Sequence, residues 1–163
     1  MLRGAFIGFG NVAAKGHLPG WQSVKDVQIV AATDAVAAQG RAFLEACPGG
    51  QWHKTVDELL SGKALDFVDI CTPPSSHVAL IKRALDARLH VLCEKPLATR
   101  IEDAQAIAAA AAGVNPEMAY DENGEVEEFV QIECSRETRK LPRPAELELG
   151  ALELLCLGFT SAP

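Results

Sequence analysis

The sequence predicts an α/β fold, a doubly wound parallel sheet followed by a short appendage of different character. Three observations carry this. Short apolar, β-branched runs alternate with helix-patterned stretches through residues 1–113, the first run breaks into a glycine pair, and the second closes on an acid. Strands separated by helices of this length need crossover connections, and crossovers give parallel strands covered on both faces.

Taken in order, residues 4–7 form a short apolar strand that ends in glycines. Residues 11–24 have helical spacing, with Gly16 and Pro19 making the second half irregular. The β-branched run 27–33 is a second strand, followed by Asp34 and an alanine-rich helix over 35–46 that stops at Pro48-Gly49-Gly50. A brief strand at 51–53 precedes a helix over 56–60, for which Thr55 is a suitable N-cap. Strand 66–71, helix 76–87, strand 90–93 and helix 101–112 complete the alternation.

Beyond residue 113 the pattern changes. Residues 1–113 hold 11 acidic and 11 basic side chains, whereas residues 114–163 hold 11 and 4, so the whole formal charge of −7 sits in the last third. Asp121-Glu122-Asn123-Gly124 is a turn signal, and residues 128–135 alternate apolar and polar, as in a hairpin strand. A Pro/Arg-rich link over 139–144 leads to a leucine-rich stretch, 147–159, which periodicity leaves open between helix and buried strand. Two units are therefore expected: 1–113, and an acidic hairpin and leucine-rich appendage over 114–163. With one strand too few for a six-stranded sheet, the edge would be covered by this appendage or paired through it in a homodimer.

Composition narrows the class of function. The chain has 48% hydrophobic residues and a mean hydropathy just above zero, which fits a globular core. No basic run suits nucleic acid or an anionic membrane, and no stretch is apolar enough for a signal peptide or a membrane span. The five cysteines are widely spaced and form no CxxC pair, so neither a metal site nor a disulfide framework is expected, and a cytoplasmic location fits.

Gly8-Phe9-Gly10-Asn11-Val12-Ala13 is a GxGxxA pattern lying between a strand and a helix. Glycine pairs also occur in ordinary turns. In this context the glycines let backbone approach a pyrophosphate, and the helix N-terminus offers free N–H groups to its charge. Asp34 follows Ala13 by 21 positions, at the end of the second strand. A carboxylate there accepts hydrogen bonds from ribose hydroxyls and repels a 2′-phosphate, so NAD is expected and NADP fits less well. Asp34 also suits the N-cap of the next helix. These features describe a Rossmann domain.

Two further clusters are Asp69-Ile70-Cys71-Thr72-Pro73-Pro74-Ser75-Ser76-His77 after the fourth strand and Cys93-Glu94-Lys95-Pro96-Leu97-Ala98 after the fifth. With the glycine turn and His17-Leu18-Pro19, they resemble the Gfo/Idh/MocA oxidoreductases, named for glucose–fructose oxidoreductase and inositol dehydrogenase. The resemblance covers about residues 2–112. It implies hydride transfer between nicotinamide and a sugar, polyol or related carbinol, a small-molecule substrate. It places Lys95 beside the reacting hydroxyl as the proton partner, a role a partly desolvated ammonium can fill. It also implies that Glu94 helps position the cofactor, and that Thr72 and Pro73 line its nicotinamide-ribose side.

The plainer alternatives are a solvated surface charge for Lys95 and a structural ion pair for Glu94. His77 suits both a place near the cofactor and the first turn of a helix, and His17 belongs to a loop of the resemblance or is structural. Members of the family continue into a second domain that carries an Asp…His acid/base motif. No histidine follows His90, and Tyr120 and Asp121 do not supply that motif. A non-catalytic NAD-binding module or remnant is therefore the competing expectation. A methyltransferase would give the Glu94-Lys95-Pro96 cluster no purpose.

Overall fold

The protein is described by a computed structural model covering residues 1–62, 64–112 and 130–132. Strands β1 (Leu2–Ile7), β2 (Val27–Thr33), β3 (Gln51–His53), β4 (Phe67–Ile70), β5 (His90–Cys93) and β6 (Val130–Ile132) form one sheet in the order β3-β2-β1-β4-β5-β6. β1 to β5 are mutually parallel, and β6 lies antiparallel against β5. An edge strand of a parallel sheet can run either way, because it is hydrogen-bonded on one side only. The strand expected over 128–135 is thus seen at Val130–Ile132, on the edge that the sequence leaves short. The leucine-rich 147–159 lies outside the described residues.

The helices are α1 (Leu18–Ser23), α2 (Gln39–Ala46), α3 (Val56–Ser61), α4 (His77–Asp86) and α5 (Ile101–Ala112). Residues 11–23 are helical throughout, but the turn Ala13–His17 is π-type and Leu18–Ser23 α-type. Pro19 lacks the N–H that a regular ladder would need there, and the widened turn lies immediately before it. α2 starts four residues later than the sequence suggests. Asp34 accepts the Val36 N–H at 2.7 Å, so residues after β2 first make a turn before the helix begins. α3 starts as expected, with Thr55 accepting the Glu58 N–H at 3.1 Å while Glu58 accepts the Lys54 N–H at 2.9 Å.

Alternation along the strands divides the core between the two faces. Ala5, Ile7, Val68, Ile70 and Val91 pack with Leu59, Ile81, Ala84 and Ile107 from α3, α4 and α5. Phe6, Ile29, Ala32 and Phe67 pack with Phe9, Leu18 and Phe43 on the face of α1 and α2. On that second face Phe9 stacks edge-on against Phe43, with centroids 5.1 Å apart, and Trp21 lies 4.7 Å from Phe67. Each buried aromatic contributes about 1.5–3 kcal/mol from its area, with a little more for well-angled ring pairs.

Candidate cofactor site

Register brings the sequence motifs together. Ile7 is aligned with Thr33 on one side and Ile70 on the other, and Ile70 with Cys93. The next residue on each strand therefore leaves the sheet at one level: Gly8, Asp34, Cys71 and Glu94. Their backbones are pinned there by Gly8 N–H to Thr33 C=O at 2.8 Å, Cys71 N–H to Ile7 C=O at 2.9 Å and Glu94 N–H to Ile70 C=O at 2.9 Å. This is the carboxyl edge of a parallel sheet at the point where strand order reverses, between β1 and β4.

The two glycines of the turn serve different needs. Gly8 has φ +91°, and a Cβ there would lie 2.8 Å from the Cys71 carbonyl oxygen and 2.9 Å from Thr72 Cγ2. Backbone conformation and space both demand glycine at that position. A Cβ at Gly10 would meet nothing within 4 Å. The protein itself does not require glycine there, and the open space suits a group that must approach the backbone. The first helical rung, Ala14 N–H to Gly10 C=O at 2.9 Å, leaves the N–H groups of Asn11, Val12 and Ala13 ahead of the ladder. Asn11 and Val12 are exposed and Ala13 is buried.

Phe9, between the glycines, is a core residue with 0% exposure, and its N–H donates to Asp34 Oδ2 at 2.7 Å. Asp34 thus ties the end of β2 to the glycine turn and does not cap α2, whose N-cap is Ala38. Thr72 stands against Gly8 and accepts the Ser76 hydroxyl at 2.7 Å. Pro73 is exposed beside it. His77 is wholly buried at the start of α4, with Nε2 2.7 Å from the Thr72 carbonyl and Nδ1 3.1 Å from that of Pro96. It braces the two loops from beneath. Lys95 is exposed, so the desolvation expected around its ammonium does not come from the described residues. The Lys95–Pro96 peptide is cis.

Below this edge lies a charged cluster whose centre is His17. Its Nδ1–H donates to both oxygens of Asp69, at 2.9 and 3.1 Å, and its Nε2–H donates to Glu94 Oε1 at 2.8 Å. Trp21 Nε1–H donates to Asp69 Oδ2 at 2.7 Å, and the Cys71 thiol donates to Asp69 Oδ1 at 3.3 Å. Burial alone would lower the His17 pKa, but hydrogen bonds and attraction from the two carboxylates outweigh it and raise it from 6.5 to about 10. The hydrogen bond from His17 in turn holds Glu94 below the usual carboxylate range, against the opposing effect of its burial. Burial, reinforced by Asp69, pushes the Cys71 and Cys93 thiols up, which leaves both protonated and unreactive.

His17, Asp69 and Cys71 could between them offer metal ligand atoms within 4.8 Å of one another. In the described structure these atoms are engaged with one another, the His17 Nδ1–H and the Cys71 thiol both donating to the Asp69 carboxylate. A cavity of about 260 Å³, lined by Leu18, Trp21, Val27, Cys47 and Pro48 among others, lies at the opposite edge near the start of β2 and does not reach these residues.

The sequence pattern of the oxidoreductase family described as having an NAD-binding Rossmann fold, GFO_IDH_MocA, matches residues 2–118. The chain belongs to the Gfo/Idh/MocA oxidoreductase family. It is 34% identical over 122 residues to a D-apiose dehydrogenase of Paraburkholderia graminis, covering 75% of this chain and 32% of that protein. It is 35% identical over 121 residues to a D-glucoside 3-dehydrogenase of Escherichia coli, covering 74% and 34%. Similar solved structures include KijD10, a 3-ketoreductase from Actinomadura kijaniata in complex with NADP and TDP-benzene, at 30% identity and TM-score 0.63 over 68% of this chain and 34% of that one. A putative myo-inositol dehydrogenase from Sinorhizobium meliloti matches at 29% and TM-score 0.64, over 69% and 33%. The chain spans about a third of the length of these relatives.

Of the residues expected in a Gfo/Idh/MocA cofactor site, the sheet edge gathers Gly8, Gly10, Asp34, Thr72 and Glu94, while Phe9 and His77 act from within the core. The sequence reading gave no role to Asp69 or Trp21 and left His17 between loop and structure. A signal was present: Asp69 is an acid inside an otherwise apolar strand, and such a buried charge needs a cationic partner.

Proposed function

We propose that this chain is the cofactor-binding part of an NAD-dependent oxidoreductase that acts on a carbinol of a sugar, polyol or related small molecule. The observation that carries it is the meeting of the glycine turn, Asp34, Thr72-Pro73 and Glu94-Lys95 at one sheet edge, with Gly10 facing open space. The fit to a dinucleotide rests on this chain's own groups. The helical N–H groups of residues 11–13 would hold the phosphates, Asp34 would accept the ribose hydroxyls on its remaining lone pairs, and Thr72 and Pro73 would line the nicotinamide side. A dinucleotide held there would supply hydride-transfer chemistry. Lys95 holds the substrate hydroxyl and exchanges its proton, while Glu94 fixes the Lys95 backbone through the N–H it accepts at 2.9 Å.

Asp34 supports NAD over NADP, since a 2′-phosphate would meet a carboxylate already held toward the turn. Residues 1–113 would form the cofactor domain and residues 114–163 its appendage, with 130–132 on the sheet edge and a homodimer through the rest as the alternative arrangement. A cytoplasmic setting accords with the free thiols of Cys47, Cys71 and Cys93, and among the described residues no helix is long and apolar enough to cross a membrane. Isothermal titration with NADH, followed by a screen of polyols and sugars for NADH production, tests the proposal. Absence of NADH binding would overturn it. The exposure of Lys95 favours a second reading, a cofactor-binding module without turnover of its own, for which NADH binds and no polyol is oxidised.

A further inference from the structure

His17 touches neither the glycine turn nor Lys95 through any hydrogen bond described above, yet it sits between the elements that carry them. It ends the π-type turn Ala13–His17, one helical stretch away from Gly10. One ring nitrogen reaches Asp69 inside β4 and the other reaches Glu94 just beyond β5. The opposite oxygen of Glu94 accepts the Lys95 N–H at 2.9 Å. The chain of contacts therefore runs from the helix that follows the glycine turn, across the sheet edge, to the segment bearing the exposed ammonium.

We propose that His17 is a positioning residue that fixes the Glu94-Lys95-Pro96 segment by bridging Asp69 and Glu94. The inference rests on the proposed oxidoreductase reading and adds to it the group that sets the height and direction of Lys95. Three features support it. His17 is 1% exposed, so water does not compete with the two carboxylates for its protons. Asp69 is also held by Trp21 and Cys71, which makes it the anchored end of the bridge, and Glu94 is the end that carries the Lys95 contact. The widened helical turn ends at His17, and such single-turn bulges are frequent at functional sites. With the imidazole replaced by an uncharged amide, Glu94 would face the Asp69 carboxylate across the gap with no cation between them, and would swing toward solvent. Lys95 would lose the acceptor that orders its backbone.

The test uses the full chain and two readouts, one free of any cofactor. The first is the amide resonance of Lys95 in 15N-labelled protein, compared among the unmodified chain and the variants His17→Gln, Glu94→Gln, His17→Gln with Glu94→Gln, and Trp21→Phe. The second is the affinity for NADH. The Lys95 amide should move in His17→Gln in the same sense as in Glu94→Gln, the double variant should match Glu94→Gln alone, and Trp21→Phe, which removes one of the groups holding Asp69, should move it less than either. Because Glu94 is itself read as helping to position the cofactor, each single change at His17 or Glu94 should weaken NADH by about tenfold, with the double no weaker than either. A Lys95 amide unmoved in His17→Gln, or losses in NADH affinity that multiply in the double variant, would overturn the proposal. Should His17→Gln fail to fold, Glu94→Gln answers in its place: the His17 ring nitrogen resonances must shift, and unchanged ones reject the bridge. If the unmodified chain binds no NADH, the cofactor reading falls and the amide comparison still decides the positioning.

Discussion

The Asp34 carboxylate accepts the Phe9 N–H at 2.7 Å with one oxygen and the Val36 N–H at 2.7 Å with the other. The residue expected to choose the cofactor is thus also the clamp that joins β2 to the glycine turn. Its orientation is set before any ligand arrives, which makes a preference between NADH and NADPH a property of the fold as well as of charge.

The unmodified chain should therefore bind NADH more tightly than NADPH in parallel titrations. Asp34→Ser should narrow the gap, and should also lower stability by about 1–2 kcal/mol because two backbone N–H groups lose a charged acceptor. Equal affinities in the unmodified chain would remove the assignment.

The two glycines of the turn should separate stability from binding. Gly8→Ala places a Cβ against the Cys71 carbonyl at a φ of +91°, so it should destabilise the fold by about 1–3 kcal/mol or more in urea unfolding. Gly10→Ala meets no protein atom, so its midpoint should stay within about 0.5 kcal/mol while NADH binding weakens markedly. Unchanged NADH affinity in Gly10→Ala would show that the open space beside it is not where the cofactor lies.

The cluster around His17 predicts an alkaline limb in stability. Its folded pKa is raised from 6.5 to about 10, so its contribution is fully present below pH 6.5 and is lost as pH rises through about 10. Glu94, whose pKa is lowered from 4.5, contributes above that value and loses its contribution as pH falls through the lowered one. Among the contacts described above, Asp69 and the Cys71 thiol face His17 from the β4 side and Glu94 from the β5 side. Urea midpoints of the unmodified chain should fall between pH 7 and 10, at no more than about 1.4 kcal/mol per pH unit for one proton. His17→Gln should be less stable at pH 7 and nearly flat over that range. Parallel curves for the two proteins would contradict the assignment.

Lys95 should matter to turnover and not to cofactor affinity. It is exposed in the described structure, so polyol oxidation by this chain alone is expected to be slow. Where turnover is measurable, Lys95→Met should lower kcat by about 10²–10⁴-fold and leave NADH affinity within a few-fold, since the phosphates bind at the glycine turn. A variant with normal kcat would exclude Lys95 from proton transfer.

The sequence by itself determined the alternation of strands and helices, the glycine turn and the acid after β2, because each rests on short-range physics. Apolar periodicity sets the elements, glycine admits the positive φ at Gly8, and Thr55 caps α3 within four residues. It also made the Glu94-Lys95-Pro96 cluster recognisable. Tertiary structure alone decided what that cluster rests on. His17 and Glu94 are 77 positions apart, and His17 and Asp69 are 52 apart. No local pattern relates such residues. Only the pairing of β4 with β1 and β5, and a helical turn widened before Pro19, bring an imidazole between two carboxylates. The same limit applies to Asp34 and Phe9: the fold makes the carboxylate a clamp on the turn, a role that sequence spacing does not show and that leaves the expected ribose contact open to the carboxylate's remaining lone pairs. Long-range pairing becomes visible only when strand register is known, because register is what converts distant positions into one edge.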